Sequence, residues 1–288
     1  MENITGYTRL LGVLADPIKH SSSPIMMNHA FKKMRIDNVY VAFEVKEDKF
    51  DEAVAGLKAI DVLGFNVSMP YKERIMAKLD VIDESAQLVG AVNTVVNRDG
   101  IWHGYNTDGY GFVAGANDMG WDIAGKKVVI LGAGGASNAI VCQCALSDAS
   151  QVVVFNRPGK NFDAMAQRAD KLNLAYKTVT QVKDLNDLEL LKQELEDAYL
   201  LVNATSVGMG QNQGSSPIPD GGYFHPDLKV MDIIYHPLQT RLLEQAQEAG
   251  LEYCNGKRMV MFQGARAFEY WTGQKMPTDY IKTVLGIE

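Results

Sequence analysis

The sequence predicts an α/β protein of two domains, each built on a mostly parallel sheet with helices on its faces. Three observations carry this. The chain has 288 residues, 47% hydrophobic and 22% charged, which suffices for two cores of ordinary globular composition. Strand-like apolar runs alternate with helix-like amphipathic runs, and the alternation occurs twice over. One run, Val128-Val-Ile-Leu-Gly-Ala-Gly-Gly-Ala-Ser137, joins four apolar residues to a glycine turn and then to a helix, the signature of a doubly wound sheet.

In the first half, residues 10–14, 39–45 and 63–67 read as strands. Residues 24–34, 46–60 and 71–79 read as the helices between them. Residues 91–97 and 101–103 read as a hairpin, with Arg98-Asp-Gly100 as its turn. No Pro/Ser-rich linker follows, so a helix starting within 107–113 is expected to connect the domains. In the second half the strands are 128–131, 152–155, 200–203 and 230–234. Helices are expected over 135–145, near 162–172 and over 187–195, the last with charged flanks between 183 and 197 that suit a solvated face. Residues 208–222, rich in Gly, Ser, Gln and Pro, read as a long loop.

The formal net charge of −7 argues against nucleic-acid or anionic-membrane partners. No apolar run approaches membrane-spanning length, and the first residues lack a charged-then-apolar signal pattern, so the expectation is a cytoplasmic protein. Cys142, Cys144 and Cys254 form no CxxC pair and read as reduced, buried thiols. The five histidines show no HExxH spacing, so no metal is expected.

The glycine turn carries the first chemical signal. Gly132 allows the turn, and Gly134 and Gly135 let backbone approach a pyrophosphate without an intervening Cβ. The helix start behind them directs N–H groups and its dipole at the anion. The turn, Ala133 and Ala136 included, reads as a Rossmann-type dinucleotide site, the bland alternative being a plain strand–helix connection, and the strand and helix on either side favour the former. Ser21-Ser-Ser-Pro24 opens a helix. Ser23 ahead of Pro24 reads as its N-cap, but Ser21 is then unexplained, and a hydroxyl pair at a helix start equally suits a carboxylate. In Asn66-Val-Ser-Met-Pro-Tyr-Lys72, Pro70 is expected to start a helix with Lys72 in its first turn. There the dipole would favour the neutral amine, a form able to exchange protons. The bland reading is a solvated lysine. Asn66 and Ser68, at the end of the strand where open α/β sheets bind ligands, favour the chemical one. Asp108 reads either as a first-turn carboxylate capped by Thr107 or as the partner of Lys72.

Taken together, these segments resemble the shikimate dehydrogenase family, including its quinate/shikimate branch, over nearly the whole chain. The matching pieces are Pro17-Ile-Lys-His-Ser-Ser-Ser-Pro24, Asn66-Val-Ser-Met-Pro-Tyr-Lys72, Gly90-Ala-Val-Asn-Thr94, Gly104-Tyr-Asn-Thr-Asp-Gly109, Gly132-Ala-Gly-Gly-Ala136, Asn156-Arg157, Asn203-Ala-Thr-Ser206 and Gln263-Gly-Ala265. The resemblance implies reversible reduction of 3-dehydroshikimate to shikimate with NADP(H), a step toward chorismate and the aromatic amino acids, with quinate oxidation as a second activity. It implies that Lys72 and Asp108 form the catalytic pair. It gives Ser21 and Ser23 the substrate carboxylate, and Ser68, Asn93 and Gln263 the ring hydroxyls. Tyr235 and Tyr40 would line the substrate pocket. Asn156, Arg157, Lys160, Thr205, Ser206 and Gly256 join Gly132–Ala136 in the cofactor set. The family organisation implies a substrate-binding domain over 1–107, completed by C-terminal helices over 256–288, and a dinucleotide-binding domain over 108–255. The partner is a small molecule, and the assembly a monomer or homodimer.

Two choices rest on departures from the family pattern. In Asn156-Arg-Pro-Gly-Lys-Asn161 no acidic residue is present and two basic ones are, which favours NADP(H) and leaves NAD(H) open. Pro158 and Asn161 stand where NADP-specific members have Thr and a second Arg, and Gly159 stands where dual-specificity members have Asp. Ser23 keeps the small hydroxyl of shikimate-using members. Ser68 replaces a common Thr and gives slightly more room, so shikimate leads and quinate stays open. The alternatives are a non-catalytic shikimate- or quinate-binding sensor on the same fold, or another two-domain dehydrogenase.

Overall fold

The computed structural model describes residues 4–19 and 21–287; His20, in the serine-rich segment, lies outside the described residues. The chain forms two compact units, Met1–Gly111 with Met261–Glu288, and Phe112–Val260.

The first unit begins with β1 (Arg9–Ala15), α1 (Ser23–Met34), β2 (Asn38–Glu44), α2 (Phe50–Ala59) and β3 (Gly64–Val67). It continues through β4 (Val81–Ile82), α3 (Glu84–Val89), β5 (Thr94–Arg98) and β6 (Ile101–Tyr105). These strands make one six-stranded sheet in the order β2-β1-β3-β5-β6-β4. Its pairings are parallel from β2 to β3 and between β4 and β6, but antiparallel from β3 through β5 to β6. The sheet is therefore mixed. The cause is local: Arg98 pairs with Ile101 across Asp99-Gly100, both with positive φ (53° and 85°), the twist that a two-residue hairpin turn requires. This reversal places Thr94, at the start of β5, beside Asn66 of β3 and Tyr105 of β6. Polar residues from three strands thus gather at one end of the sheet.

Apolar clusters cover both faces. Leu11, Val13, Phe31, Tyr40 and Val96 lie on one, and Leu14, Phe50, Phe65, Val67, Tyr71 and Trp102 on the other.

Three local expectations fail here. Residues 71–79 form no α-helix, only a five-residue 3-10 segment, Arg74–Lys78. Tyr71 explains this. Its buried ring stacks on Phe50 at 4.7 Å, its hydroxyl donates to the Val45 carbonyl at 2.6 Å, and Val92 N–H donates to the Lys72 carbonyl at 2.8 Å. The backbone is tied to the sheet before a helix can propagate. The helix-dipole argument for Lys72 therefore falls. Ser23 is not the N-cap of α1 either; Ser22 occupies that position without a side-chain cap bond, and Ser23 is the first helical residue. The helix foreseen over 46–60 also starts later, after a 3-10 turn at Glu47–Lys49.

α4 (Asp108–Asp118) leads out of the first unit into the second. There follow β7 (Lys127–Leu131), α5 (Gly135–Leu146), β8 (Gln151–Asn156), α6 (Lys160–Ala175), β9 (Val179–Asp184) and α7 (Leu188–Leu195). β10 (Leu200–Asn203), β11 (Lys229–Asp232), α8 (Arg241–Glu248) and β12 (Tyr253–Cys254) complete it. All six strands are parallel, in the order β12-β11-β10-β7-β8-β9. Counted within this unit the order is that of the Rossmann fold, and it reverses between β7 and β10, the position where such sheets bind dinucleotides. The first three residues of β10 and the interior of β7 read as continuous apolar runs because both faces of a parallel sheet are covered.

α9 (Lys257–Thr272) returns the chain to the first unit, where α10 (Thr278–Leu285) follows. Among the described residues, no helix is long and apolar enough to cross a membrane.

Candidate active site

The polar end of the first sheet carries a connected set of side chains. Lys72, just past β3, donates from Nζ to Asp108 Oδ2 at 2.5 Å. The pair is largely shielded, with side chains 22% and 12% exposed. Asp108 opens α4, where the dipole favours a carboxylate. Its other oxygen, Oδ1, accepts from Asn93 Nδ2 at 2.8 Å.

Asn93 is the hub. It is buried, and Nδ2 also approaches Thr107 Oγ1 (3.0 Å) and Gln263 Oε1 (3.4 Å). Its Oδ1 accepts from Thr107 N–H and from the Thr94 hydroxyl, both at 2.9 Å. Gln263 comes from α9, and its Oε1 also accepts from the Thr107 hydroxyl at 3.3 Å. The Thr107 hydroxyl joins this cluster, and Asp108 N–H donates to Asn106 Oδ1 at 3.1 Å.

A second arm runs toward the serines. Asn66 Nδ2 donates to Thr94 Oγ1 and to the Asn93 carbonyl, both at 3.0 Å. Asn66 Oδ1 accepts the Tyr40 hydroxyl proton at 2.6 Å. Burial pushes the Tyr40 hydroxyl well above its ordinary pKa, against an opposing hydrogen bond with Ser23. Ser21 Oγ accepts from Ser23 N–H at 3.3 Å. Ser68 follows β3 directly, its N–H held by the Leu14 carbonyl at 2.9 Å. The expected residues Ser21, Ser23, Tyr40, Ser68, Lys72, Asn93, Asp108 and Gln263 thus all belong to the first unit. Tyr235 belongs to the second, in the loop after β11, and is 42% exposed. Sequence reasoning placed Asn66 near the site without giving it a role, and gave none to Thr94 or to the Thr107 side chain beyond a cap. The available signal was a polar residue in an otherwise apolar four-residue strand, and two threonines flanking the hairpin.

In the second unit the turn after β7 has the shape that a phosphate group needs. Gly132 has φ +102°, and a Cβ on it would lie 2.9 Å from the Ala204 carbonyl oxygen. Gly134 and Gly135 face open space, with nothing within 4 Å of a Cβ on either. The buried Ser137 hydroxyl ties α5 to the turn by donating to the Gly132 carbonyl at 2.7 Å. Ala133 and Ala136 flank these glycines. Thr205 Oγ1 donates to Asn203 Oδ1 at 2.7 Å in the adjoining loop, with Ser206 next to it. Asn156 ends β8 and donates to the Arg157 carbonyl at 2.8 Å. Arg157 and Lys160 are exposed around the start of α6, and neither has a carboxylate partner among the described residues. Gly256 differs from the other glycines. A Cβ there would lie 1.9 Å from the Ile233 carbonyl oxygen, so it permits close backbone packing at the end of β11. The residues present fit a dinucleotide: an open glycine turn at a helix start, and uncommitted cations beyond the neighbouring strand.

The three cysteines are buried and form no disulfide among the described residues, and burial holds the Cys254 thiol up at about 12.

Three family models match the chain: a shikimate dehydrogenase substrate binding domain over 13–95, a shikimate/quinate 5-dehydrogenase domain over 115–208, and a shikimate 5′-dehydrogenase C-terminal domain over 258–285. The chain is 44% identical over 284 residues to the shikimate dehydrogenase (NADP(+)) of Listeria innocua serovar 6a, covering 99% of this chain and 98% of the relative. It is 42% identical over 284 residues to a quinate/shikimate dehydrogenase of Escherichia coli, covering 99% of each. The crystal structure of shikimate 5-dehydrogenase from Listeria monocytogenes in complex with shikimate and NAD superposes with a TM-score of 0.95, at 44% identity and 99% coverage of each chain.

Proposed function

The chain belongs to the shikimate dehydrogenase family, and from that premise we propose that it catalyses the reversible NADP(H)-dependent reduction of 3-dehydroshikimate to shikimate. One observation carries the reading: the Lys72–Asp108 pair at 2.5 Å, braced through Asn93 and Gln263 at the polar end of the first sheet. Full-length relatives named for this reaction support it.

When bound, the nicotinamide ring supplies the hydride to C3, or receives it. The protein's own residues handle the rest. In the oxidative direction Lys72 Nζ, as the neutral amine, takes the C3 hydroxyl proton as that carbon becomes a carbonyl. In reduction the ammonium returns it. Asp108 orients the amine and stabilises its charged form. Asn93, Ser68 and Gln263 hold ring hydroxyls. The Ser21 and Ser23 hydroxyls donate to the substrate carboxylate, and Tyr40 and Tyr235 bound the pocket. The unit of residues 1–111 and 261–288 serves as the substrate domain, and that of residues 112–260 as the dinucleotide domain. There Gly132, Ala133, Gly134, Gly135 and Ala136 receive the pyrophosphate. Asn156, Arg157, Lys160, Thr205, Ser206 and Gly256 surround the rest.

Arg157 and Lys160, free of carboxylates, favour the 2′-phosphate of NADP(H) over NAD(H). Shikimate is the leading substrate, and quinate the second. The protein acts in the cytoplasm as a monomer or homodimer. The test is nicotinamide absorbance with shikimate or quinate, each with NADP or NAD. Fastest turnover with shikimate and NADP is expected. Silence in all four mixtures, with shikimate still bound, would replace the enzyme by a sensor.

A further inference from the structure

Asp232 ends β11 and has no exposed surface, yet among the described residues no cation pairs with its carboxylate. A buried carboxylate without a counter-ion is costly, and it persists where several donors satisfy it. Three do so here, from three separate places. Asn203 Nδ2 donates to Oδ1 at 3.1 Å, Ile234 N–H donates to Oδ1 at 3.0 Å, and the Thr240 hydroxyl donates to Oδ2 at 2.7 Å.

Each donor leads to a loop at the C-terminal end of the parallel sheet. Asn203, itself fully buried, accepts from both the N–H (3.0 Å) and the hydroxyl (2.7 Å) of Thr205. Thr205 Cγ2 and the Ala204 carbonyl fill the space where a Gly132 side chain would stand. Ile234 N–H fixes the turn leading to Tyr235, and the Ile234 carbonyl accepts from Gly256 N–H at 3.0 Å. Thr240 caps α8, its hydroxyl accepting from Leu243 N–H at 3.4 Å.

We propose that Asp232 is a positioning residue for the dinucleotide, holding the loops after β10 and β11 in register with the glycine turn after β7. This rests on the dinucleotide reading of the second unit. Asp232 touches no ligand itself; it acts through Asn203 and Thr205 on one side and through residues 233–235 on the other. Removing its acceptor oxygens strands the Ile234 N–H and the Thr240 hydroxyl, leaves Asn203 Nδ2 only the Val207 carbonyl, and frees both loops.

The test is NADPH affinity, read by nucleotide fluorescence without substrate, beside shikimate affinity, read by calorimetry without nucleotide. Asp232→Ala should weaken NADPH binding about tenfold or more, the scale expected when buried donors lose their acceptor. Shikimate affinity should fall by no more than about threefold, since Tyr235 alone of the substrate set lies on these loops while Ser21, Ser23, Asn93 and Gln263 belong to the first unit. Asp232→Asn keeps Oδ1 for Asn203 and Ile234, so it should hold NADPH affinity within about threefold of wild type. Unchanged NADPH affinity in the alanine variant overturns the inference. So does an equal loss of both ligands, which would mark general damage to the fold. Should the alanine variant not be recovered folded, the asparagine variant decides, since a tenfold loss there would assign the effect to charge rather than position. Wild-type protein that binds no NADPH would instead overturn the dinucleotide reading beneath it.

Discussion

Lys72→Ala separates proton transfer from binding. In the wild type Nζ lies 2.5 Å from Asp108 Oδ2, and only 22% of the lysine side chain is exposed. Truncation removes the amine proposed to exchange the substrate proton, while Asn93 still holds Asp108 Oδ1 at 2.8 Å. Loss of a positioned acid–base group lowers turnover about 10²–10⁴-fold, or roughly 3–5 kcal/mol of barrier. The carboxylate left behind costs stability, about 1–3 kcal/mol, because one hydrogen bond to it survives and its rim reaches water. Binding falls less. Ser21, Ser23, Asn93 and Gln263 remain, so shikimate affinity should stay within about tenfold, the value of one hydrogen bond. The assays are initial rates of NADP reduction over a shikimate series, shikimate titration by calorimetry, and a thermal melt. The expected pattern is a collapse of kcat with a nearly unchanged dissociation constant. A variant turning over within tenfold of wild type would refute the role of Lys72. A loss confined to affinity would make it a binding group instead.

The two kinds of glycine should respond in opposite ways. Gly134→Ala meets open space at φ −85°, so stability should change by less than about 0.5 kcal/mol while NADP binding weakens. Gly256→Ala would drive its Cβ into the Ile233 carbonyl and should destabilise the second unit by about 1–3 kcal/mol in a denaturant melt. Arg157→Gln with Lys160→Gln should raise KM for NADP about tenfold and leave KM for NAD unchanged; equal effects on both would remove these residues from phosphate recognition. Burial pushes the Glu194 carboxyl up, but hydrogen bonds from Lys127 and Lys183 outweigh it and hold it below the ordinary glutamate range. The folded carboxyl thus binds a proton more weakly than the unfolded one. Its stabilisation is complete above the ordinary range and is lost as pH falls through the depressed folded value. The Tm difference between wild type and Glu194→Gln should therefore shrink in that acidic window, and a constant difference would count against the assignment.

The sequence made the second unit legible where its strands are buried on both faces. Val128 to Leu131 and Leu200 to Asn203 read as strands because a parallel interior is almost uninterrupted apolar sequence. β9 escaped notice since its edge position leaves polar residues interspersed along it, and β12 is two residues long, below any periodic signal. The Lys72 segment misled for another reason. Pro70 followed by polar residues resembles a helix start locally, and only the Tyr71 ring stacked on Phe50 sets the real path. Individual site residues were visible as motifs, but their meeting was not. That Lys72 reaches Asp108 depends on β5 and β6 reversing at Asp99-Gly100, and that Gln263 joins them depends on α9 returning after the whole second unit. Asp232 was invisible in the sequence because its importance lies in three donors distant along the chain.

The return of α9 and α10 also orders events at the ribosome. Met261, Phe268, Trp271, Met276 and Ile281 share one apolar cluster with Leu11, Val13, Phe31 and Tyr40. Trp271 closes it against the sheet, its Nε1 donating to the Val95 carbonyl at 2.9 Å and lying where a side chain on Gly64 would be. These residues are translated after all of the second unit, whose chain is continuous. At about 5–20 residues per second, the first sheet waits roughly 10–30 s with that face bare while the second unit has everything it needs to fold. The unit begun first is finished last, and the interval is when the nascent chain most needs protection from aggregation.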